Sequence, residues 1–390
     1  MMENNDLSYI LNELGECRDQ YFQAVSPPIV QTSNFAFRTV EEMRIRFQDE
    51  YGGYIYSRGL NPTVDILRKK LAALEETEDA LVLNSGAAAI FLSVVPFVQQ
   101  GDHVISVQQP YSWAQKLFND ILPRFGVQTS YVDAREISQI RDAIQSNTRL
   151  IYLESPNSWD FAIQDLEGVA QLAKSQHLLT VIDNSYCSPI FQKPSRWGID
   201  LVLHSATKYL SGHSDTVAGV LCGRTELLRK VFNLEYLTAG NGIQPFNAWL
   251  LIRGLRTLPV RLERIQKTTM IIVECLKKHP KIESVLFPLD PEFPQFELAR
   301  KQMSGACGLF SFVVKCRDPH RIELFCNKLR HILMAVSWGG HESLIIPRLA
   351  GIPLEQFNPE DSSHRLIRMY VGLEDADYLL SDLTQAMVHL

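Results

Sequence analysis

The order of elements predicts an α/β fold: a mainly parallel central sheet covered by helices, followed by a smaller C-terminal α/β unit. Three observations carry this. From Leu81 to Gly223, short apolar runs alternate with stretches of helical periodicity, the pattern of strands joined by crossover helices. A long helical pattern, about Pro245 to His279, separates this series from a second, shorter one. The residues able to do chemistry gather just after the apolar runs, where open parallel sheets hold their ligands.

Residues 1–60 read as an arm that contacts a neighbouring subunit. Pro27 and Pro28 block regular structure there. The stretch YGGYIYSRGLNPTV offers glycines and aromatics suited to packing on another surface, with Tyr56 and Arg58 as its polar ends. Pro62 suits a first helical turn, and Val64, Leu67, Leu71 and Leu74 keep helical spacing. A short strand, Leu81 to Leu83, then runs through Asn84-Ser85-Gly86 into a small-residue helix. Free N–H groups at Gly86 and Ala87, with the helix dipole, suit a phosphate; close packing is the other use of such small residues.

Further strands are expected at 103–107, 127–133, 150–155, 178–184, 201–205 and 217–223. Helices are expected from about Trp113, over 136–145 and over 166–173. Ser85, Tyr111, Glu154, Asp183 and Lys208 all follow predicted strands, so they should converge on one edge of the sheet. The helical pattern after Pro245 should break near Pro259. The last part holds a strand in GLFSFVVK, a helix from Pro319 to Leu329, a loop SWGGHESL, a strand LIRMYV and a helix from Glu374. The expected units are the arm, a cofactor-binding domain over 61–256 and a C-terminal domain over 257–390.

Composition excludes several classes. Hydrophobic residues make up 46% and charged residues 21%, enough for large cores. A net charge of −6 gives a nucleic-acid role no electrostatic support. The longest apolar run, around Ile90 to Val98, contains Pro96 and falls short of membrane-spanning length. The N-terminal MMENNDLSYI lacks a signal-peptide pattern. The seven cysteines form no CxxC pair, which fits reduced thiols in a cytoplasmic protein. The ten histidines show no HxxxH or HExxH spacing, and no metal is expected.

The chemistry centres on Ile199 to Leu221. Lys208 follows an apolar run and stands behind Ser205 and Thr207. An amine so placed can form a Schiff base with an aldehyde while the hydroxyls hold a phosphate. An ordinary surface lysine is the plainer reading. Asp183, at the end of LLTVID, tips the balance, because a carboxylate there can pair with a protonated pyridine nitrogen. Pyridoxal 5'-phosphate needs both groups.

The ordered set YSRGLNPT, SGAAA, ESP, VIDNSY, SATKYLSGHSD, RGLRTL, SWGGHESL and LIRMYVGLED resembles the Cys/Met-metabolism family of pyridoxal phosphate enzymes. These trans-sulfuration enzymes have the aspartate-aminotransferase-like fold type I. Within the family the chain is most similar to bacterial cystathionine β-lyases, on ESPNS, RGLRTLPVRL, GLFSF and Trp338. The resemblance implies that Lys208 is the Schiff-base lysine and catalytic base and that Asp183 pairs with the ring nitrogen. It implies that Tyr111 stacks on the ring and that Ser85, Gly86, Ala87, Ser205 and Thr207 hold the phosphate. Tyr56, counted with the catalytic groups, and Arg58 would reach the cofactor from a neighbouring subunit of a homotetramer built as a dimer of dimers. Arg368 would clamp the substrate carboxylate, with Ser337, Trp338 and Ser158 beside the substrate.

Three departures stand out: Ser158 where many members have asparagine, Val336 where many γ-lyases carry glutamate, and the bulky Trp113. The activity so implied is carbon–sulfur cleavage in methionine metabolism. The first expectation is β-elimination on cystathionine or a related cysteine S-conjugate, giving a thiol, pyruvate and ammonia. γ-Elimination or γ-replacement is the alternative. A non-catalytic cofactor-binding scaffold is the remaining reading.

Overall fold

The structure, a computed structural model, describes residues 6–390. Seven strands form the central sheet: β1 (Asp79–Leu83), β2 (His103–Val107), β3 (Gln128–Val132), β4 (Thr148–Glu154), β5 (Leu179–Asp183), β6 (Leu201–His204) and β7 (Gly219–Gly223). Their spatial order is β1-β7-β6-β5-β4-β2-β3. The strands from β3 across to β6 are parallel. β7 is antiparallel to both neighbours, so the mainly parallel sheet is mixed at this strand. Because only β7 is reversed, β1 runs the same way as β6. Six carboxyl ends therefore share one edge with the amino end of β7.

Alternate residues of these strands supply two apolar layers. Ile105, Ile151, Leu153, Ile182, Val202 and Val220 face one side. Val104, Leu150, Tyr152, Val181, Leu203 and Leu221 face the other. Both layers are covered, so the strands read as continuous apolar runs rather than alternating ones. The first layer is continuous with the core of the C-terminal part.

The long helical pattern is two helices, Pro245–Arg256 and Leu258–Lys277. Pro259 lies in the first turn of the second, where its missing N–H would have had no partner. Beyond it lies a second sheet of five strands: β8 (Ile282–Leu286), β9 (Leu309–Val314), β10 (Leu333–Met334), β11 (Leu344–Pro347) and β12 (Leu366–Tyr370). Their order is β10-β11-β12-β9-β8. The sequence marks β9 and β12 but not the other three. β8 exposes Glu283 and Ser284, β10 has only two residues, and β11 begins inside the stretch read as a loop. Pairing, not pattern, makes these segments strands.

The first sixty residues are not uniform. Ile10 and Leu11 are buried, and the Lys70 ammonium reaches their carbonyls and the Glu16 carboxylate at 3.1 Å. Arg256 meets the same carboxylate at 3.0 Å. Thr63 donates its hydroxyl to Pro28 O, and Trp249 donates its indole N–H to Pro27 O. This part docks on its own chain. The helix Val40–Gln48 buries none of its residues, and Phe47 is 63% exposed. Among the described residues no helix is long and apolar enough to cross a membrane.

Candidate active site

Lys208 is aimed by its neighbours. β6 ends at His204, and Lys208 N bonds back to Ser205 O at 3.1 Å. Ala206 and Tyr209 on either side are fully buried and pin the turn. The Lys208 ammonium donates to Ser337 Oγ at 2.5 Å. Ser337 sits at φ 81°, outside the region most residues prefer. Gly339 follows at φ 91°, and a Cβ there would lie 2.8 Å from Lys208 Cα. Only glycine lets this loop approach the lysine backbone so closely. The Trp338 ring centroid lies 5.4 Å from the lysine nitrogen and packs on Tyr209. Burial and the nearby Arg368 cation lower the amine to a pKa of about 8, against the pull of Asp183.

Asp183 and Glu154 end adjacent strands and are direct cross-strand partners. Glu154 accepts from Tyr111 N at 2.6 Å and from the Ser158 N–H and hydroxyl at 3.0 and 2.8 Å. Burial, and then the Asp183 charge, push Glu154 up to about 7. Burial raises Asp183 too, against the pull of hydrogen bonds from the Ser185 hydroxyl and N–H and of the nearby His204 and Lys208. The two carboxylates thus share one buried site and titrate as a pair. The Ser185 N–H donates to Asp183 Oδ1 at 2.9 Å, and the Ser185 hydroxyl adds a second local contact. A carboxylate so placed can accept a pyridinium N–H.

At the opposite end, Ser85 caps the helix Gly86–Val94 by accepting from Ala88 N at 3.1 Å. The N–H groups of Gly86 and Ala87 precede the first intrahelical bonds and are open to an anion. A Cβ on Gly86 would stand 2.8 Å from Ser205 Oγ, so glycine keeps this cradle open. Ser205 is held by its own N–H on Ser185 Oγ at 2.7 Å. The Thr207 hydroxyl donates to Ala218 O at 3.2 Å and accepts from Ala218 N at 3.0 Å. A lysine amine without an ion-pair partner among the described residues, a strand-end carboxylate, the exposed Tyr111 ring and an anion cradle together fit pyridoxal phosphate.

The substrate end is built between the two sheets. Arg368, on β12, donates from Nη1 to Ser158 O at 3.2 Å. Its guanidinium carbon lies 4.7 Å from the Trp159 ring centroid, and burial lowers its pKa to about 10. Asn157 is buried and donates to Gln109 O, so it does not stand in for Ser158. Val336 and Trp113 are 83% and 57% exposed. Tyr56 and Arg58 are not brought into this cluster: Arg58 lies over the Tyr56 ring at 5.5 Å, and Tyr56 bridges to Asn34. Sequence reasoning missed Trp159 and Ser311, whose hydroxyl donates to Trp159 O at 3.0 Å. The only signal was position: a tryptophan directly after ESPNS, and a serine inside the apolar GLFSF.

The fold and this constellation define a pyridoxal phosphate enzyme of fold type I. The chain belongs to the Cys/Met metabolism PLP-dependent enzymes, whose description it matches over residues 10–388. It is 36% identical over 382 residues to an L-methionine gamma-lyase of Treponema denticola, covering 96% of this chain and 94% of the relative. It is 34% identical to a cystathionine gamma-lyase of Bacillus subtilis over 95% of this chain and 96% of that one. A solved chain from Campylobacter jejuni, assigned as an O-acetylhomoserine (thiol)-lyase and carrying a pyridoxyl-lysine phosphate, superposes with a TM-score of 0.91. It is 27% identical, with 98% of this chain and 99% of that one covered. The family and cofactor expected from the motifs stand. The β-lyase branch gains no support, because these lyase relatives are named for γ-chemistry.

Proposed function

We propose that the protein is a carbon–sulfur lyase that eliminates a thiol from the γ-carbon of an α-amino acid, with methionine-type thioethers as its substrate class. The relatives named above favour this γ-alternative over the β-elimination expected first. The observation that carries the substrate class is the side chain next to Ser337: Val336 is apolar and exposed where an acid would hold a distal ammonium. Trp113 and Trp338 add apolar surface that suits a neutral thioether.

Bound pyridoxal phosphate supplies the electron sink for the charge left by departing protons. The residues do the rest. Arg368 holds the substrate carboxylate through N–H groups that no carboxylate among the described residues occupies. Lys208 Nζ, lowered to about 8, takes the Cα proton and then serves the Cβ proton that γ-elimination also requires. Ser337 Oγ keeps that nitrogen in place between transfers. Burial and the Asp183 and Glu154 charges raise the Tyr111 phenol, which keeps its proton to give to the leaving sulfur. For methionine the balance is methionine plus water giving methanethiol, 2-oxobutyrate and ammonia.

The exposed Tyr56 and Arg58, and a helix Val40–Gln48 that buries nothing, support a second copy of the chain completing each site. Product analysis tests the chemistry. With L-methionine the expected products are methanethiol and 2-oxobutyrate. Pyruvate and homocysteine from L-cystathionine, with methionine untouched, would return the assignment to β-elimination.

A further inference from the structure

Arg368 is a cation with almost no polar partner. Among the described residues it forms no ion pair, and its one hydrogen bond uses one of five guanidinium N–H groups. A guanidinium drawn out of water needs something to balance it. What faces it is the indole of Trp159, 4.7 Å from the guanidinium carbon. Arg348 lies 5.3 Å from the same ring and likewise has no ion pair among the described residues.

We propose that Trp159 is a positioning residue that holds Arg368 ready for the substrate's α-carboxylate; this rests on the reading of Arg368 as the carboxylate clamp. An aromatic face stabilises a cation without taking its N–H donors. A carboxylate in the same place would balance the charge but would occupy the donors meant for substrate. Trp159 thus leaves the guanidinium fork free.

The ring is fixed from both sheets. Ser311, fully buried on β9, is the cross-strand partner of Arg368 on β12 and grips the Trp159 carbonyl. Adjacent residues of the small sheet therefore hold the backbone and the ring of one tryptophan. On the other side, Ser158 is held by Glu154 at the end of β4. The Ser158-Trp159 segment joins the cofactor's carboxylate pair to the substrate's arginine.

The test uses holoenzyme of Trp159→Leu, Trp159→Phe and Arg368→Ala. Each is titrated with L-methionine and with 3-(methylthio)propylamine, which has the same amine and thioether but no carboxylate. Binding is read from the cofactor's visible absorption, and cofactor content and thermal midpoint confirm folding. Trp159→Leu should weaken methionine by about tenfold, the scale of a desolvated cation–π contact. Trp159→Phe, which keeps an aromatic face, should weaken it by about threefold or less. The amine should bind all three variants as it binds the parent. Equal weakening of both ligands, or unchanged methionine binding in Trp159→Leu while Arg368→Ala loses it, overturns the role of Trp159. Unchanged methionine binding in Arg368→Ala overturns the clamp itself, and that outcome is distinct from the other two.

Discussion

The two ends of the site are built in different ways. The cofactor end belongs to one sheet. Asp183 closes β5, Lys208 follows β6, and Ser85 with Gly86 follows β1. Asp183 and Ser205 are held from within that sheet, by Ser185 N and Ser185 Oγ, and the Lys208 amine alone also reaches across to Ser337 Oγ. The substrate end spans two sheets. Arg368 comes from β12, Ser158 and Trp159 from the loop after β4, and Ser337 and Trp338 from the loop between β10 and β11. Strand pairing places the residues of the first end, with Ser337 as its one tie to the other sheet, whereas side-chain contacts across the two sheets place the second. One sheet can therefore keep common chemistry while loops change the substrate.

The largest break in this comparison is Asp183→Asn. The amide keeps the shape and the Ser185 contact but loses the charge. We expect kcat to fall by roughly a hundredfold or more, the scale of losing a preorganised electrostatic partner. Binding of a carboxylate-bearing inhibitor should change little, because Arg368 is untouched. Steady-state kinetics with a competitive amino-acid inhibitor reads both. A loss confined to inhibitor binding would place Asp183 at the other end.

Charge crosses between the ends, and pH exposes it. Lys208 is lowered to about 8 by burial and by Arg368. Its neutral amine is the nucleophile. Reloading the cofactor-stripped protein with pyridoxal phosphate should quicken about tenfold per pH unit below 8 and level off above it. The stability sign follows from the depressed value. The lysine's contribution to folding is present above its ordinary pKa and is lost as pH falls toward 8. Arg368→Ala removes a neighbouring positive charge, so the midpoint of reloading should move up. An unmoved midpoint would mean that the ends are electrostatically independent.

The same contrast explains what was legible. Asp183, Lys208, Gly86 and Glu154 were readable because a strand end is a sequence feature and the sheet brings such ends together. Trp159 and Ser311 were not, because nothing local says that a loop residue after β4 will meet β9 and β12. β10 and β11 were missed for a related reason: two and four residues carry too little pattern, and pairing defines them. The antiparallel β7 reads as an apolar run whichever way it points. In the arm, residues 10–28 dock on the same chain through buried contacts such as Lys70 with Glu16, which sequence separation conceals.

A third contributor to the cofactor end can be sought by mixing subunits. Tyr56 and Arg58 meet each other rather than the Lys208 cluster of their own chain. If they complete a partner's site, inactive Arg58→Ala and Lys208→Ala proteins should complement after reassembly. In a random pool of dimers, half are mixed and each mixed dimer has one whole site, so about a quarter of parental activity should return. Verified mixed oligomers without activity would show that each chain completes its own site.

The smallest expected effect tests the substrate end alone. Val336 is 83% exposed and adjoins Ser337, which holds the Lys208 amine. A glutamate in its place needs no buried space, so Val336→Glu should leave the thermal midpoint close to the parent's. It adds one acceptor for a distal ammonium, such as that of cystathionine, and makes the wall less apolar for methionine. Because the position is exposed, water and salt screen the new charge, and a pair of this kind contributes about 0.2–1 kcal/mol. The ratio of kcat/KM for cystathionine over methionine should therefore rise about twofold to fivefold, and less at high salt. The cofactor's visible spectrum should stay as it was, since Asp183, Lys208 and Gly86 are untouched. A changed spectrum would mean that the loop carrying Ser337 shapes the cofactor end as well, and the division between a fixed end and an adjustable one would fail at that residue.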